Sequence, residues 1–230
     1  MSPPLLVCRP EPGASATARA AEALGLTAVV APLFRIERVV WDPPAPELFD
    51  ALVMTSANAA RHAGDALRLY KSLPAFAVGD ATAAAMRAVG LNAEASEGDA
   101  ETLIATIASG PHRRLLHLCG EHHHAPVHPD LSIRSVPVYC AVAVDALPAF
   151  MADALGAEAI IMLHSPRAAA LFASLATKAG CEKSGLRLVA ISPAAAAAAG
   201  RGWRSAEAAP APTDAAMLAI ARDLCDKASR

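Results

Sequence analysis

Two short polar pairs interrupt the apolar pattern in the same way: Thr55-Ser56 and His164-Ser165 each end a hydrophobic run and open a helical stretch. Ser56 and Ser165 carry the side chain of an N-cap, whose hydroxyl accepts a hydrogen bond from an amide of the first turn. Pro166 follows Ser165 at the first helical position, where its missing N–H costs nothing. Gly79-Asp80 and Ser192-Pro193 repeat the arrangement. Free amides and the positive end of the helix dipole make each such turn a weak anion site. Several of them together suit a ligand with many carboxylates, and they need no basic excess. Any one capping serine is more often a plain cap. The set of related turns gives the anion reading its weight.

A second group of candidates lies around Glu121, which is followed by His122, His123 and His124, with His117 and His128 nearby. Neutral imidazoles bind transition metals. Three consecutive residues rarely converge on one ion, however, and no HExxH pattern is present, so the triplet reads as a solvent-facing loop and no metal is expected. Facing a ligand, such histidines would attract carboxylates through partial protonation near neutral pH. There is no GxGxxG after a strand, no GxxxxGK[ST] and no GxSxG, so dinucleotide, nucleotide and hydrolase readings lack their motifs.

The elements that must position these turns follow from the apolar runs. Leu5–Cys8, Ala28–Ala31, Ala51–Met54, Ala75–Val78, Leu115–Cys119, Ser135–Tyr139, Ile160–Leu163 and Leu188–Ile191 are short, bounded by Pro, Gly or polar residues, and mostly followed by alanine-rich helical stretches. Continuous apolar strands alternating with helices predict parallel sheets covered on both faces, that is, a doubly wound α/β fold. In such sheets the strand-to-helix turns lie at the carboxyl ends of the strands, where ligands bind. Hydrophobic residues make up 54% of the 230, enough for real cores.

A net charge of −2 argues against nucleic acid as a partner. The five cysteines (Cys8, Cys119, Cys140, Cys181, Cys225) are scattered without CxxC spacing, which predicts a reducing compartment. Met1 to Pro10 lacks the charge pattern of a signal peptide, and no apolar run approaches the ~20 residues of a membrane span. The cytoplasm, with no membrane contact, is the expectation.

The two halves of the chain also match each other. Val7-Cys8-Arg9-Pro10 corresponds loosely to Leu118-Cys119-Gly120-Glu121, Val30-Ala31-Pro32-Leu33 to Ser135-Val136-Pro137-Val138, Met54–Ala60 to Leu163–Ala169, and Ala77–Ala83 to Ala190–Ala196. The pairs keep their order at a separation of about 110 residues, as two copies of one βα unit would. Ile36–Val40 and Cys140–Val144 break the helix–strand rhythm and read as two extended segments able to pair as a linker. The chain then leaves one domain near residue 36 and returns near 142.

Taken together, Leu6-Val7-Cys8-Arg9-Pro10, Thr55-Ser56-Ala57-Asn58-Ala59, Val78-Gly79-Asp80-Ala81-Thr82-Ala83, Val136-Pro137-Val138-Tyr139, Ser165-Pro166-Arg167-Ala168-Ala169 and Ile191-Ser192-Pro193 resemble the uroporphyrinogen-III synthase family over nearly the whole chain. The resemblance implies two flavodoxin-like domains, 1–35 with 143–230 and 36–142, joined by a two-stranded β linker with a cleft between them. It implies a cofactor-free lyase that cyclises hydroxymethylbilane with loss of water and inversion of ring D through a spiro intermediate. The implied partners are that polycarboxylate substrate and, in transient contact, hydroxymethylbilane synthase; the protein is expected to be a monomer.

By the same resemblance Tyr139 assists departure of the hydroxyl, since a phenol donates a hydrogen bond while neutral. Arg9, Thr55, Ser56, Asn58, Gly79, Thr82, Gly120, Ser165, Arg167 and Ser192 are the implied substrate-binding positions. Without it, Tyr139 would read as the anchor of a strand end. Three features depart from the family's pattern: Cys140 where an arginine is common, Glu121–His124 in place of a loop with Gly or Arg, and Ala195 in place of a threonine. The alternatives are a two-lobed binding module without chemistry and a histidine-dependent metalloenzyme.

Overall fold

The computed structural model describes residues 2–156 and 158–228. In chain order the first elements are β1 (Leu5–Val7), α1 (Gly13–Ala23), β2 (Ala28–Val30), β3 (Phe34–Arg38), β4 (Ala51–Met54), α2 (Ala57–His62), β5 (Ala75–Val78), α3 (Asp80–Ala88), β6 (Ala93–Ser96), α4 (Ala100–Ala108) and β7 (Arg114–Gly120). They continue as β8 (Ser132–Ala143), α5 (Met151–Gly156), β9 (Ile160–Leu163), α6 (Pro166–Lys178), β10 (Arg187–Ala190), α7 (Pro193–Ala198), β11 (Ser205–Ala208) and α8 (Asp214–Ala228). The chain divides into two compact units, Met1–Arg35 with Val142–Arg230, and Ile36–Ala141.

The first unit is built on a five-stranded sheet of order β11-β10-β9-β1-β2, parallel throughout. Its central strands β1, β9 and β10 are buried at every residue, as apolar runs covered on both faces must be. On one face Leu5, Val7, Ile160 and Met162 meet Ala14 and Ala21 of α1 and Met217, Leu218, Ala221 and Leu224 of α8. Each Leu or Ile side chain fully removed from water contributes about 1.5–3 kcal/mol before entropy is counted.

The second unit holds a six-stranded sheet of order β3-β8-β7-β4-β5-β6, with parallel pairing from β8 through β6. The strand period of two is visible in β4: Leu52 and Met54 enter one core cluster, while Ala51 and Val53 enter another with Leu103, Ile104 and Ile107 of α4. At the edge, Val39 N donates to Val138 O.

The sheet orders β11-β10-β9-β1-β2 and β6-β5-β4-β7-β8 are the same pattern. The four sequence matches fall on β1 and β7, β2 and β8, β9 and β4, and β10 and β5, strands holding the same place in each sheet. The chain order differs, because β1 and β2 precede the second unit and β9 to β11 follow it.

Four elements differ from the sequence reading. Ser135–Tyr139 and Cys140–Val144 are not two segments but one strand, Ser132–Ala143. Strands β6 and β11 were not expected: both are sheet edges with alternating polar residues, so they lack the apolar run. The isolated strand starts at Phe34, whose buried ring belongs to it, rather than at Ile36.

Candidate functional site

In both units the candidate residues gather at the carboxyl ends of parallel strands. Ser165 is extended, with φ −164°, and its hydroxyl accepts from Ala168 N at 3.1 Å as the cap of α6. Ser192 caps α7 in the same way, accepting from Ala195 N at 3.3 Å. In the second unit Ser56 caps α2 and accepts from Asn58 N at 3.3 Å. Asn58 Oδ1 in turn accepts from Arg61 Nη1 at 3.4 Å.

Gly79 fills the remaining cap position with φ +75°, the left-handed region that a side chain strains. It has no hydroxyl to offer α3, and its N–H donates to Ser96 O at 3.0 Å. Thr82, three residues on, is buried against the core rather than presented at the turn.

The setting of Tyr139 has a backbone cause. Pro137 has no N–H to give the ladder, and β8 is an interior strand, where proline is confined to irregularities. The pairing shifts there: Cys119 pairs with Pro137, but the next residue of β7, Gly120, pairs with Tyr139. The extra residue, Val138, is a bulge of the kind that re-aims a side chain. Tyr139 is turned over Gly120 so closely that a Cβ there would lie 2.8 Å from Tyr139 Cζ. Gly120 therefore leaves the space that the phenol ring fills. The His62 ring, at the end of α2, stands 6.3 Å from that of Tyr139. Burial and the Arg61 charge lower the pKa of His62, favouring the neutral ring. Among the described residues no hydrogen bond involves the Tyr139 hydroxyl.

The arginines are committed within the protein. Arg9 Nη1 meets Asp214 Oδ1 at 3.0 Å and Oδ2 at 3.1 Å, a carboxylate of the chain itself. Asp214 also accepts from Thr17 Oγ1 at 2.7 Å and lies 3.1 Å from His164 Nε2. The His164 hydrogen bond, then Thr17 and the Arg9 charge, hold Asp214 down at about 2. The guanidinium of Arg167 lies over the Phe34 ring, 4.5 Å from its centroid.

The histidine triplet behaves differently from an exposed loop. His122 and His124 are exposed, but His123 turns back so that its Nδ1 lies 2.9 Å from Gly120 O. Its ring meets that of the buried His117, centroids 5.7 Å apart. Spacing alone cannot show this, because the fold of the turn decides which of three adjacent side chains faces inward. His62 and Asp214 were likewise missed: neither has a local motif, and Asp214 lies 205 residues from Arg9.

Parallel sheets ending in capped turns, with a phenol set over a glycine, define an α/β protein whose candidate residues lie at its strand ends. The chain belongs to the uroporphyrinogen-III synthase family: the family model described as Uroporphyrinogen-III synthase HemD matches residues 15–219. As a member it is a cofactor-independent lyase of tetrapyrrole biosynthesis.

The chain is also similar in fold to the crystal structure of uroporphyrinogen-III synthetase from Helicobacter pylori, with 15% identity, TM-score 0.57, and coverage of 97% of this chain and 100% of that one. A mutant uroporphyrinogen III synthase from Thermus thermophilus is similar at 15% identity and TM-score 0.51, covering 99% of this chain and 100% of that one. No curated protein matches the sequence.

Proposed function

We propose that this chain converts hydroxymethylbilane to uroporphyrinogen III, and that Tyr139 is the residue that assists loss of the terminal hydroxyl. The hydroxyl leaves as water, the resulting azafulvene is attacked at the substituted carbon of ring D, and the spiro intermediate fragments and recloses with that ring inverted. The observation that carries the role is the bulge at Pro137–Tyr139, which sets the phenol over Gly120.

A phenol stays protonated near neutral pH and can donate to a leaving oxygen. The capped turns at Ser56, Ser165 and Ser192, with Thr55, Asn58 and Gly79, are the proposed carboxylate donors. Arg167 is retained among them, Arg9 acts by anchoring Asp214, and Thr82 supports α3 from its buried position. Holding the chain of pyrroles in a reactive conformation supplies most of the acceleration, since positioning contributes up to ~7–11 kcal/mol in favourable cases.

The finer architecture belongs to the same proposal: two flavodoxin-like domains, 1–35 with 143–230 and 36–142, joined by a two-stranded linker. It is supported by the two strand orders and by the hydrogen bonds Val39 N to Val138 O and Val144 N to Leu33 O, which run in antiparallel sense. We extend it to a cytoplasmic monomer that receives its substrate from hydroxymethylbilane synthase. No helix among the described residues is long and apolar enough to cross a membrane.

The test is a coupled assay in which hydroxymethylbilane synthase supplies substrate and the product isomers are separated. The type III isomer is expected. Only the spontaneously formed type I isomer would refute the synthase reading and leave a binding module.

A further inference from the structure

We propose that His117, Cys119 and His123 form a binding site for a divalent cation of the zinc class within the second unit. The strand period of two puts His117 and Cys119 on one face of β7, and the turn that follows brings His123 back beside them. One ligating atom from each of the three lies within 4.8 Å of the others. Tetrahedral zinc, with N and S at about 2.0–2.3 Å, needs its ligands roughly 3.3–3.6 Å apart. Binding draws the three atoms from within 4.8 Å of one another to that spacing.

The hydrogen bonds around the rings are those a metal site requires. Gly120 O can only accept, so the proton of His123 sits on Nδ1, 2.9 Å away, and Nε2 keeps its lone pair. His117 Nδ1 lies 3.0 Å from Ser135 Oγ, which leaves Nε2, now 3.4 Å from Thr55 Oγ1, for the ion. Ligating histidines are oriented in this way by a partner on the other nitrogen. His117 is buried, and a neutral imidazole is the form that ligates.

Cys119 is buried and its thiol is pushed up to about 11, although the Val136 amide hydrogen-bonds the sulfur and favours the thiolate. The ion replaces that proton: a zinc–sulfur bond forms, the S–H bond breaks, and the proton is released to solvent. Two imidazoles and one thiolate favour zinc over magnesium or calcium, whose preferred ligands are oxygens. Water takes the fourth position. The inference stands apart from the proposed reaction, which uses no metal.

The test uses the full-length, tag-free protein stripped with a chelator and titrated with Co2+ and then Zn2+. Cobalt is expected to bind with release of the thiol proton and a thiolate-to-metal charge-transfer band, and zinc to displace it with loss of the band and no further proton. Cys119→Ser should abolish the band, and His123→Gln, at a half-buried turn position, should weaken zinc strongly. Ser135→Ala, which removes only the partner of His117, should weaken it by roughly 10–100-fold. Replacing the exposed His122 and His124 together by Ala should leave the affinity unchanged. Absence of the band, its survival in Cys119→Ser, or loss of binding in the His122/His124 variant would overturn the site.

Discussion

Strand β1 of the first unit and β7 of the second hold the same place in their sheets, as do β9 and β4, yet their carboxyl ends carry different chemistry. Beyond β1 and β9 stand Arg9 and His164, both joined to Asp214, with Thr17 closing the group. At the ends of β7 and β4, Gly120 lies beneath Tyr139 and Thr55 beside His117. One unit has closed its strand ends around an internal ion pair. The other keeps a phenol whose hydroxyl makes no hydrogen bond among the described residues. The shared strand order fixes where side chains stand, and the residues at each position decide what they do, as expected when sites are grafted onto a shared fold.

The largest effect expected from perturbing this pairing is in the cores. Leu52 and Ile161 occupy matching positions in β4 and β9, and both are fully buried. Leu52→Ala and Ile161→Ala should each cost about 2–5 kcal/mol in urea denaturation. A cost below 1 kcal/mol for either would mean that the two strands are not equivalent supports.

Asp214→Ala comes next, since it strips Arg9, Thr17 and His164 of their shared acceptor. A loss of about 1.5–3 kcal/mol is expected. Its pH dependence has a definite sign. The folded-state value of Asp214, about 2, is depressed from the usual 3.8, so its stabilisation is complete above the higher value and disappears as pH falls towards the lower. Asp214→Asn should flatten the acid limb of stability in that window. Asp50 titrates in the same window for a different reason: the Arg114 fork and the Arg113 and Arg114 amides hold it at about 2. Asp50→Asn should flatten the limb as well, and acid titration of both variants would separate the two units' shares.

Gly120→Ala sharpens the comparison at β7. Its new Cβ would lie 2.8 Å from Tyr139 Cζ, so the ring must move. Overpacking should cost about 1–3 kcal/mol, and turnover should fall by more than the stability loss accounts for. The matching caps give the smallest effect: Ser56→Ala and Ser165→Ala should each cost about 0.5–2 kcal/mol, with mild changes in turnover.

The features legible in the sequence were those fixed locally. Runs such as Ala51–Met54 and Ile160–Leu163 are apolar because both faces are covered, and the strands match them residue for residue. Ser165-Pro166 and Ser192-Pro193 announce caps because the serine and proline each act within one turn. The edge strands Ala93–Ser96 and Ser205–Ala208 were not legible, because they have one side open and carry no apolar run, unlike the edge strand Ala28–Val30. Contacts that depend on chain return were not legible either. Nothing near Arg9 points to Asp214, and nothing in three adjacent histidines singles out His123. Tyr139 was readable from its resemblance to a family motif, but the bulge that aims it and the reason for Gly120 appear only in the register of β7 and β8.

The most direct measurement of the account is the rate of type III formation by Tyr139→Phe, compared with the unsubstituted protein at equal folded concentration. The phenyl ring keeps the contact with Gly120 and removes only the hydroxyl. Turnover at least about 100-fold lower, with thermal stability unchanged, is predicted from loss of a positioned proton donor. An unchanged rate would contradict the assignment of the chemistry to Tyr139.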